Sequence, residues 1–348
     1  MRLLPRPALG TYAGLVPDIG VVWVDGDSGV AQRAGAADLV GLLARDDGWV
    51  WVDVPEPDES TAVLLTERFG IHPKAASDAL ARNHIARLHH YGDVLYLALH
   101  RPEPGTGGHV HYLELDLFVG PRFVVTLHGP RNPVVPLAAM VRETGEVAAR
   151  MEAGRLRPRT PMALVYAHVA ALTNVQERLV NDFAQEVGLL EQRVMAGADD
   201  NKPQEFLDEL FTVRHTLLTV RTMAAQGAQV MARAVTLVQG AREGDRRLLE
   251  DLKDQYDRLD QIAKSQLEFL EGVTAFYRAR TDTRMTIAAE RLAVIAAITL
   301  PVAAISGVFG MNLIVNDSTH WVSLAIVVAA MSGMSLYLLR WARRQGWW

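Results

Sequence analysis

The sequence predicts an α+β domain with a mixed sheet and helices, followed by long helices and two C-terminal transmembrane helices. Three observations support this fold class. Short runs rich in β-branched and aromatic residues fill the first 130 residues. Long helical segments with few proline or glycine residues follow. Two uncharged apolar runs lie near the C-terminus. The predicted domains are residues 1–158, 159–284 and 285–348.

The first domain alternates strand and helix signals. Strands are predicted at residues 21–24, 49–52, 94–99, 111–119 and 123–127. Ser60 is a candidate N-cap for a helix that stops at Gly70. Turns are predicted at residues 105–108 and at Gly120-Pro121, between the last three strands. The pattern therefore predicts a sheet with helices packed on it, ending near residue 130.

Three long helices are predicted next, from residue 161 to 196, from 204 to 238, and from 245 onward. Apolar residues in the third follow a seven-residue repeat, which predicts a coiled-coil seam between copies or ordinary packing within one subunit. The seam is Leu252, Tyr256, Leu259, Ala263, Leu270, Val273 and Tyr277, with Gln266 as its polar exception. No loop signal separates this helix from the first apolar run. A continuous helix to residue 311 would be roughly 100 Å long at about 1.5 Å per residue.

The apolar runs at residues 292–309 and 321–339 contain 18 and 19 uncharged residues. Each is long enough to cross a hydrocarbon core of about 30 Å, although two buried core helices are the alternative. We predict membrane spans at 287–311 and 321–339, joined by an extracellular loop at 312–320. Arginines flank the outer ends of the two runs, while the loop has no Lys or Arg. The positive-inside rule then places both termini, and the first two domains, in the cytoplasm of a multi-pass protein of the cell membrane.

Composition excludes several function classes. The 348 residues include no cysteine, which removes disulfides, thiolate zinc sites and cysteine nucleophiles. A net charge of -5 argues against a nucleic-acid partner. No phosphate loop, catalytic carboxylate pair or Ser-His-Asp arrangement stands out, so we do not predict an enzyme. A membrane-anchored sensor or enzyme without transport remains the alternative from another class.

One face of the first apolar run carries small and medium side chains at three- and four-residue steps. These residues are Thr286, Ala289, Leu292, Ala296, Leu300 and Ala303. Such a stripe suits a close helix contact or the wall of a narrow apolar pore. Two spans per chain cannot enclose a pore, so a channel requires several copies around an axis.

The first run ends in a segment with special backbone and side-chain chemistry. Pro301 is expected to bend the helix or free a carbonyl group. Gly307 and Gly310 permit a close backbone approach or an unwound turn. Asn312 then follows, and a ring of its carboxamides suits a strongly hydrated ion such as Mg²⁺.

Residues 292–312, LAVIAAITLPVAAISGVFGMN, resemble the first membrane helix of the CorA-type magnesium transporters. The GMN triplet lies 36 residues from the C-terminus, and Phe309 stands where the family usually has tyrosine. Residues 69–73, 77–80 and 91–99 look like the cytoplasmic domain of the same family. The resemblance therefore covers nearly the whole chain.

This resemblance implies a funnel-shaped homopentamer in the lipid bilayer that takes up Mg²⁺, and also Co²⁺ or Ni²⁺. It assigns the ion-selecting mouth to Gly310, Met311 and Asn312, and apolar constrictions to Leu292 and Leu300. The remaining pore lining is assigned to Thr286, Ala289, Ala296 and Ala303. Regulatory divalent ions between neighbouring subunits would bind Asp78, Asp251 and the nearby Asp254, and would hold the closed state.

Departures from the family pattern leave a second ion open. Thr286 and Ala303 fall where many members carry asparagine and threonine, and the loop lacks the usual Met-Pro-Glu sequence. The alternative is a zinc transporter of the ZntB type, with proton coupling. Met311 favours magnesium, because those members commonly lack this methionine. His320 and the pair His109 and His111, expected on one face of a strand, are candidate zinc ligands or ordinary surface residues.

Overall fold

A computed structural model describes residues 19–197, 202–238, 242–313 and 321–344. These residues form two compact units, one extending to Leu270 and the other beginning at Glu271. The seven strands of the described chain are β1 Gly20–Asp25, β2 Ala31–Ala34, β3 Gly48–Val54, β4 Arg87–Tyr91, β5 Val94–Pro104, β6 Val110–Gly120 and β7 Phe123–Leu127. The α-helices are α1 Leu39–Leu43, α2 Glu59–Phe69, α3 Pro73–Asp78, α4 Leu137–Met140, α5 Arg142–Glu152, α6 Pro161–Ala196, α7 Pro203–Leu237, α8 Glu243–Leu313 and α9 Trp321–Arg344.

The strands form one mixed sheet in the order β2-β1-β3-β7-β6-β5-β4. β3 and β7 pair in parallel, and every other neighbouring pair is antiparallel. The five predicted strands are confirmed, and the sheet ends at Leu127. Two further strands, β2 and β4, lie at the two edges. Their sequences, AQRA and RLHHY, lack the β-branched run that marks a strand in sequence.

One face of the sheet is covered by α2 and α3. Leu65, Phe69 and Ala75 from these helices join Val52 and Phe118 of the sheet in one buried core. The N-cap prediction was wrong by two residues. Asp58, rather than Ser60, accepts the backbone N–H of Thr61 at 3.0 Å, since its carboxylate lies nearer the first free amides. Gly70 ends α2 at φ 66°, as predicted for a C-terminal glycine.

The other face of the sheet packs against α5, α6 and α7. The Trp51 and His168 rings lie 5.0 Å apart, which joins β3 to α6. Gln176 of α6 donates to the His100 carbonyl at 2.8 Å, which joins α6 to β5. The sheet is therefore enclosed between two helical layers. This arrangement explains why its central strands are apolar on both faces.

The seven-residue seam of α8 packs inside one chain. Leu252, Tyr256 and Ala263 are each at most 1% exposed. A Cβ atom added at Gly227 of α7 would lie 2.5 Å from the Tyr256 ring. Packing within one subunit is therefore the correct alternative for this part of the seam. These residues cannot also form a coiled coil between copies. The spacing predicted a buried stripe, but α6 and α7 supply its partner.

In the second unit, α8 continues without interruption to Leu313, with Pro301 inside it. The helix therefore does not unwind at Gly307, and a Cβ atom added there would meet nothing within 4 Å. Only 6% of the most apolar 18-residue stretch of α8 is buried, and none of the most apolar 18-residue stretch of α9 is buried. Two buried core helices are therefore excluded, because a core helix in a soluble protein would be mostly covered by its own chain.

Candidate functional site

The predicted pore-lining stripe of α8 lies on the larger part of the helix surface that a single chain leaves uncovered. Leu292 and Leu300 are 67% and 68% exposed, although both are large apolar residues. Thr286, Ala289 and Ala303 are also exposed, and Ala296 is half-buried. A face with this composition requires lipid or another protein surface to cover it.

The opposite face of the same helix segment is covered. Val294 is 2% exposed, and Ile298, Pro301 and Ile305 are half-buried. At about 100° per residue, these four residues lie roughly on the side of α8 away from the stripe. Among the described side chains of residues 285–344, only Val294 and Ala342 are fully buried. The least exposed residues of this segment therefore lie on one side of α8, and the stripe lies on the other.

The predicted mouth lies in the last turn of α8. The helix includes Gly310, Met311 and Asn312, and their side chains lie outside the described part of the structure. His320 lies outside the described residues as well. The position of the triplet at the end of the apolar segment agrees with the prediction, but its proposed role in ion selection stays untested.

Asp251 has two hydrogen-bond donors from its own chain. The Tyr166 hydroxyl of α6 donates to its Oδ2 atom at 2.7 Å, and Gln255 Nε2 donates to the same atom at 2.8 Å. Thr173 of α6 donates to Gln255 Oε1 at 2.9 Å, which orients that amide. The exposed carboxylate is thus held in one orientation, and its two donors line a polar cavity of about 260 Å³ between α6 and α8. Sequence reasoning missed Tyr166, because 85 residues separate it from Asp251.

The other two predicted regulatory acids have different surroundings. Asp78 ends α3 and lies 3.9 Å from Arg87 of β4. Asp254 is 78% exposed and lies 3.7 Å from Lys253. No group of three or more His, Asp or Glu side chains within the described ranges is arranged to hold a metal ion. The binding of regulatory ions between neighbouring subunits stays a prediction.

The predicted histidine pair does come together. The His109 and His111 rings lie 4.6 Å apart, with His109 just before β6 and His111 within it. Asn132 Nδ2 lies 3.4 Å from His111 Nδ1. The Nε2 atom of His111 lies against the backbone of Gly105, where an added Cβ atom would approach it to 2.7 Å. His111 therefore has little room for a metal ion.

Two buried acids that the sequence analysis did not single out lie on β6. Glu114 is 8% exposed and Asp116 is fully buried. Burial raises the pKa of Glu114 to about 7. Burial and the charge of Glu114 raise the pKa of Asp116 well above its ordinary value. The signal was present, because two acids at alternate positions of an apolar strand, in YLELDLF, fall on one face.

The opposite face of the sheet holds a half-buried acid, Asp53, whose carboxylate has hydrogen-bond partners. His128 Nε2 lies 3.0 Å from Asp53 Oδ1, and His128 Nδ1 lies 3.0 Å from the Met140 carbonyl. Thr126 also donates to the Asp53 carboxylate. Burial acts to raise the pKa of Asp53, but the hydrogen bond and charge of His128 outweigh it, so the pKa is lowered. These contacts tie β3 and β7 to the α4–α5 region, which gives the cluster a structural role.

Comparisons with known proteins cover almost the full length. The family model described as "CorA-like Mg2+ transporter protein" matches residues 46–344. A Bacillus subtilis (strain 168) protein named "Putative metal ion transporter YfjQ" is 25% identical over 309 residues. That match spans 87% of this chain and 91% of the relative.

Solved structures share the fold. The complete CorA magnesium transporter of Methanocaldococcus jannaschii matches with a TM-score of 0.77 at 16% identity, over 96% of this chain and 100% of that one. The full-length CmaX protein matches at 0.72 and 17% identity, over 95% and 99%. The ZntB cytoplasmic domain of Vibrio parahaemolyticus RIMD 2210633 matches at 0.59 and 10% identity, over 77% and 100%. The predicted mixed sheet, long helices and C-terminal helix pair are therefore confirmed as one known fold.

Proposed function

Because the chain belongs to the CorA-like Mg²⁺ transporter family, we propose that its transported ion is Mg²⁺, with Co²⁺ and Ni²⁺ as further substrates. Family membership makes the chain a membrane transporter of divalent metal ions rather than an enzyme. One observation supports the ion pathway most directly. The uncovered stripe on α8 leads to the GMN triplet at the end of the same helix.

The stripe supports an assembly of several copies around a pore. A single α8 helix cannot enclose a pathway, and the exposed Leu292 and Leu300 side chains require a covered environment. Five copies, as the CorA resemblance implies, would place one stripe each around a common axis. Leu292 and Leu300 would then form two apolar constrictions that close by dewetting. Thr286, Ala289, Ala296 and Ala303 would line the wider parts of the pathway.

The proposed mouth selects a hydrated ion. Mg²⁺ dehydrates reluctantly, so a site that accepts hydrogen bonds from its water shell is better suited than one that removes the shell. The amide oxygen of Asn312 is such an acceptor and carries no charge that would slow ion release. Gly310 leaves room beside it, and Met311 is the residue that favours magnesium over the zinc-transporting branch.

Divalent ions on the cytoplasmic side are proposed to hold the transporter closed. Asp251 is the best supported ligand, because Tyr166 and Gln255 fix its orientation in advance. Asp78 and Asp254 would contribute from neighbouring subunits. Loss of the bound ions would leave uncompensated carboxylates near one another and would favour separation of the subunits. Both termini are proposed to be cytoplasmic, in agreement with the arginines that flank the two apolar helices.

A zinc transporter remains the second candidate, supported by the likeness of the fold to the ZntB cytoplasmic domain. Purified protein in liposomes tests both candidates, with uptake of Mg²⁺ and Zn²⁺ measured with and without a pH gradient. We expect Mg²⁺ uptake that does not need the gradient. Zn²⁺ uptake that requires the gradient, without Mg²⁺ uptake, would contradict the magnesium proposal.

The same assay tests the mouth. Asn312→Ala is expected to abolish Mg²⁺ uptake while leaving the oligomer intact by size-exclusion chromatography, because it removes the proposed acceptor for the water shell of the ion. Asn316→Ala, the same change just outside the triplet, serves as the matched control and should retain uptake. Full uptake by Asn312→Ala would show that the triplet is not the selecting mouth.

A further inference from the structure

We propose that Glu114 and Asp116 form a proton-binding site, in which one proton on Asp116 is shared with Glu114 and keeps residues 79–86 fastened to the sheet. Residues 79–86 connect α3 to β4. The two acids occupy alternate positions of β6 and therefore point to the same face of the sheet. Their partners across β5 are His100 and Ala98.

Each acid has one satisfied oxygen and one without a partner. Glu114 Oε2 accepts the backbone N–H of Asn83 at 3.0 Å, and Asp116 Oδ1 accepts the Tyr96 hydroxyl at 3.0 Å. Glu114 Oε1 and Asp116 Oδ2 are buried and have no hydrogen-bond partner among the described residues. Burying a carboxylate oxygen without a hydrogen-bond donor costs folding free energy. The cost is higher for two neighbouring carboxylates that are both charged.

One proton satisfies both oxygens. A proton on Asp116 Oδ2 makes that atom a donor, and Glu114 Oε1 is the unpartnered acceptor on the next acid of the same face. A metal ion fits the pair less well, because no group of three or more candidate metal ligands occurs in the part of the chain that the structure covers. The shared proton resembles the arrangement of other paired buried carboxyl groups, which titrate as a unit.

The neighbouring charges favour placing the proton on Asp116. Arg82 and Arg87 both stabilise the charged form of Glu114, which also receives the Asn83 amide hydrogen. Asp116 is fully buried and faces the negative charge of Glu114, with the Tyr96 hydrogen bond and then the charge of Arg87 as weaker opposing influences.

The two buried titratable neighbours do not change charge near neutral pH. Burial lowers the pKa of His100 to about 4, although its contact with Asn83 opposes this and His84 and Arg87 add to it. Burial raises the pKa of Tyr96. Both groups therefore stay neutral, and the acid pair is the buried group proposed to respond to pH. His84 lies in the segment itself, with its ring 5.3 Å from that of Tyr112.

The pair holds Asn83, in a segment that is also attached through Arg82 to the Pro130 and Arg131 carbonyls and through the His84 ring to Tyr112 of β6. The Asn83 carbonyl accepts from His100 Nε2 at 2.7 Å, so buried side chains bind both backbone polar groups of this residue. The Ala86 N–H is held by Gln226 of α7 at 3.0 Å. Loss of the shared proton would leave two adjacent buried negative charges and weaken the Asn83 attachment. The segment would then loosen around Asn83 as pH rises.

The sign of the stability change follows from the raised pKa values. The folded chain keeps protons on these acids at pH values where the unfolded chain has lost them. Folding stability therefore falls as pH rises from the ordinary range of a carboxyl group through neutrality. Segment 79–86 lies between Asp78 and its partner Arg87. An effect of the acid pair on the regulatory role of Asp78 therefore rests on the proposed function.

Amide hydrogen exchange of the full-length protein between pH 6 and 9, corrected for intrinsic exchange rates, tests the proposal. We expect protection of the Asn83 amide to fall several-fold with rising pH, while strand residues 48–54 stay protected. Asp116→Asn keeps a donor at the Oδ2 position and should retain protection throughout the range. Asp116→Leu removes the donor and should lose protection even at pH 6.

Two outcomes would overturn the proposal: protection of Asn83 in the unsubstituted protein that does not change with pH, or equal behaviour of the Asn and Leu variants. If Asp116→Leu does not fold, infrared spectroscopy decides. A protonated carboxyl band at neutral pH that disappears in Asp116→Asn supports the site, and its absence in the unsubstituted protein contradicts it. Mg²⁺ uptake with a pH-independent Asn83 amide would contradict this inference alone, whereas a responsive amide without uptake would contradict the proposed function alone.

Discussion

Among the described residues, the first unit, up to Leu270, buries most of its large apolar side chains within one chain, whereas the second unit, from Glu271, leaves many of its own exposed. In the first unit, Leu65 and Phe206 are 0% exposed, and α8 contributes Leu252 to the same kind of packing. In the second unit, Leu292 and Leu300 are about two-thirds exposed on the same helix. One continuous helix therefore has two kinds of environment along its length.

This difference separates what each unit contributes. The first unit has the buried core and hydrogen bonds of a self-sufficient α/β domain, so substitutions in its core should act first on stability. The second unit exposes a large apolar surface, which we propose is covered by lipid and by further copies. Substitutions on its exposed stripe should therefore change transport while leaving the fold of the first unit unchanged.

A substitution in the first unit that changes the response to Mg²⁺ without changing stability would sharpen this comparison. Asp251→Ala is expected to raise several-fold the Mg²⁺ concentration that protects the protein from proteolysis, because it removes the proposed regulatory ligand. Asp257→Ala on the same helix removes an acid paired with Lys253 and is the matched control, with no shift expected. An unchanged Mg²⁺ requirement in Asp251→Ala would contradict the regulatory role.

A smaller effect is expected where α8 packs on α7. Gly227→Ala should destabilise the protein by about 1–3 kcal/mol, since its Cβ atom would overlap the buried Tyr256 ring. Gly188→Ala in α6 has open space at the same position and should stabilise the helix by about 0.5–1 kcal/mol. Thermal unfolding in detergent compares the two variants. Equal stability would mean that the α8 seam does not pack on α7 as described.

The sequence predicted the fold where local pattern and final environment agree. Strands β1, β3, β5, β6 and β7 carry apolar runs because both their faces are buried, and α6 is bounded by Pro161 and Gly197 as predicted. The edge strands β2 and β4 lack that signal, since an edge strand has only partial cover. The repeat in α8 predicted a buried stripe correctly, but spacing alone could not show that the partner was Gly227 of the same chain.

The candidate site was predictable to a different degree in each part. The α8 stripe followed from three- and four-residue spacing, and the GMN triplet from its place at the end of an apolar run. The hydrogen bond from Tyr166 to Asp251 and the attachment of Asn83 to Glu114 join residues 85 and 31 positions apart. Such contacts arise from the tertiary fold, so no local sequence pattern predicts them.

The pathway along the uncovered face of α8 can be tested directly, because the chain contains no cysteine. Single substitutions Ala289→Cys, Ala296→Cys and Ala303→Cys on the stripe can be compared with Val294→Cys, Ile298→Cys and Ile305→Cys on the covered face. Each variant is treated, during Mg²⁺ uptake into liposomes, with a charged water-soluble thiol reagent. We predict that the reagent blocks uptake through the stripe variants and leaves uptake through the covered-face variants unchanged. Equal block on both faces, or block confined to the covered face, would contradict a pathway lined by the stripe.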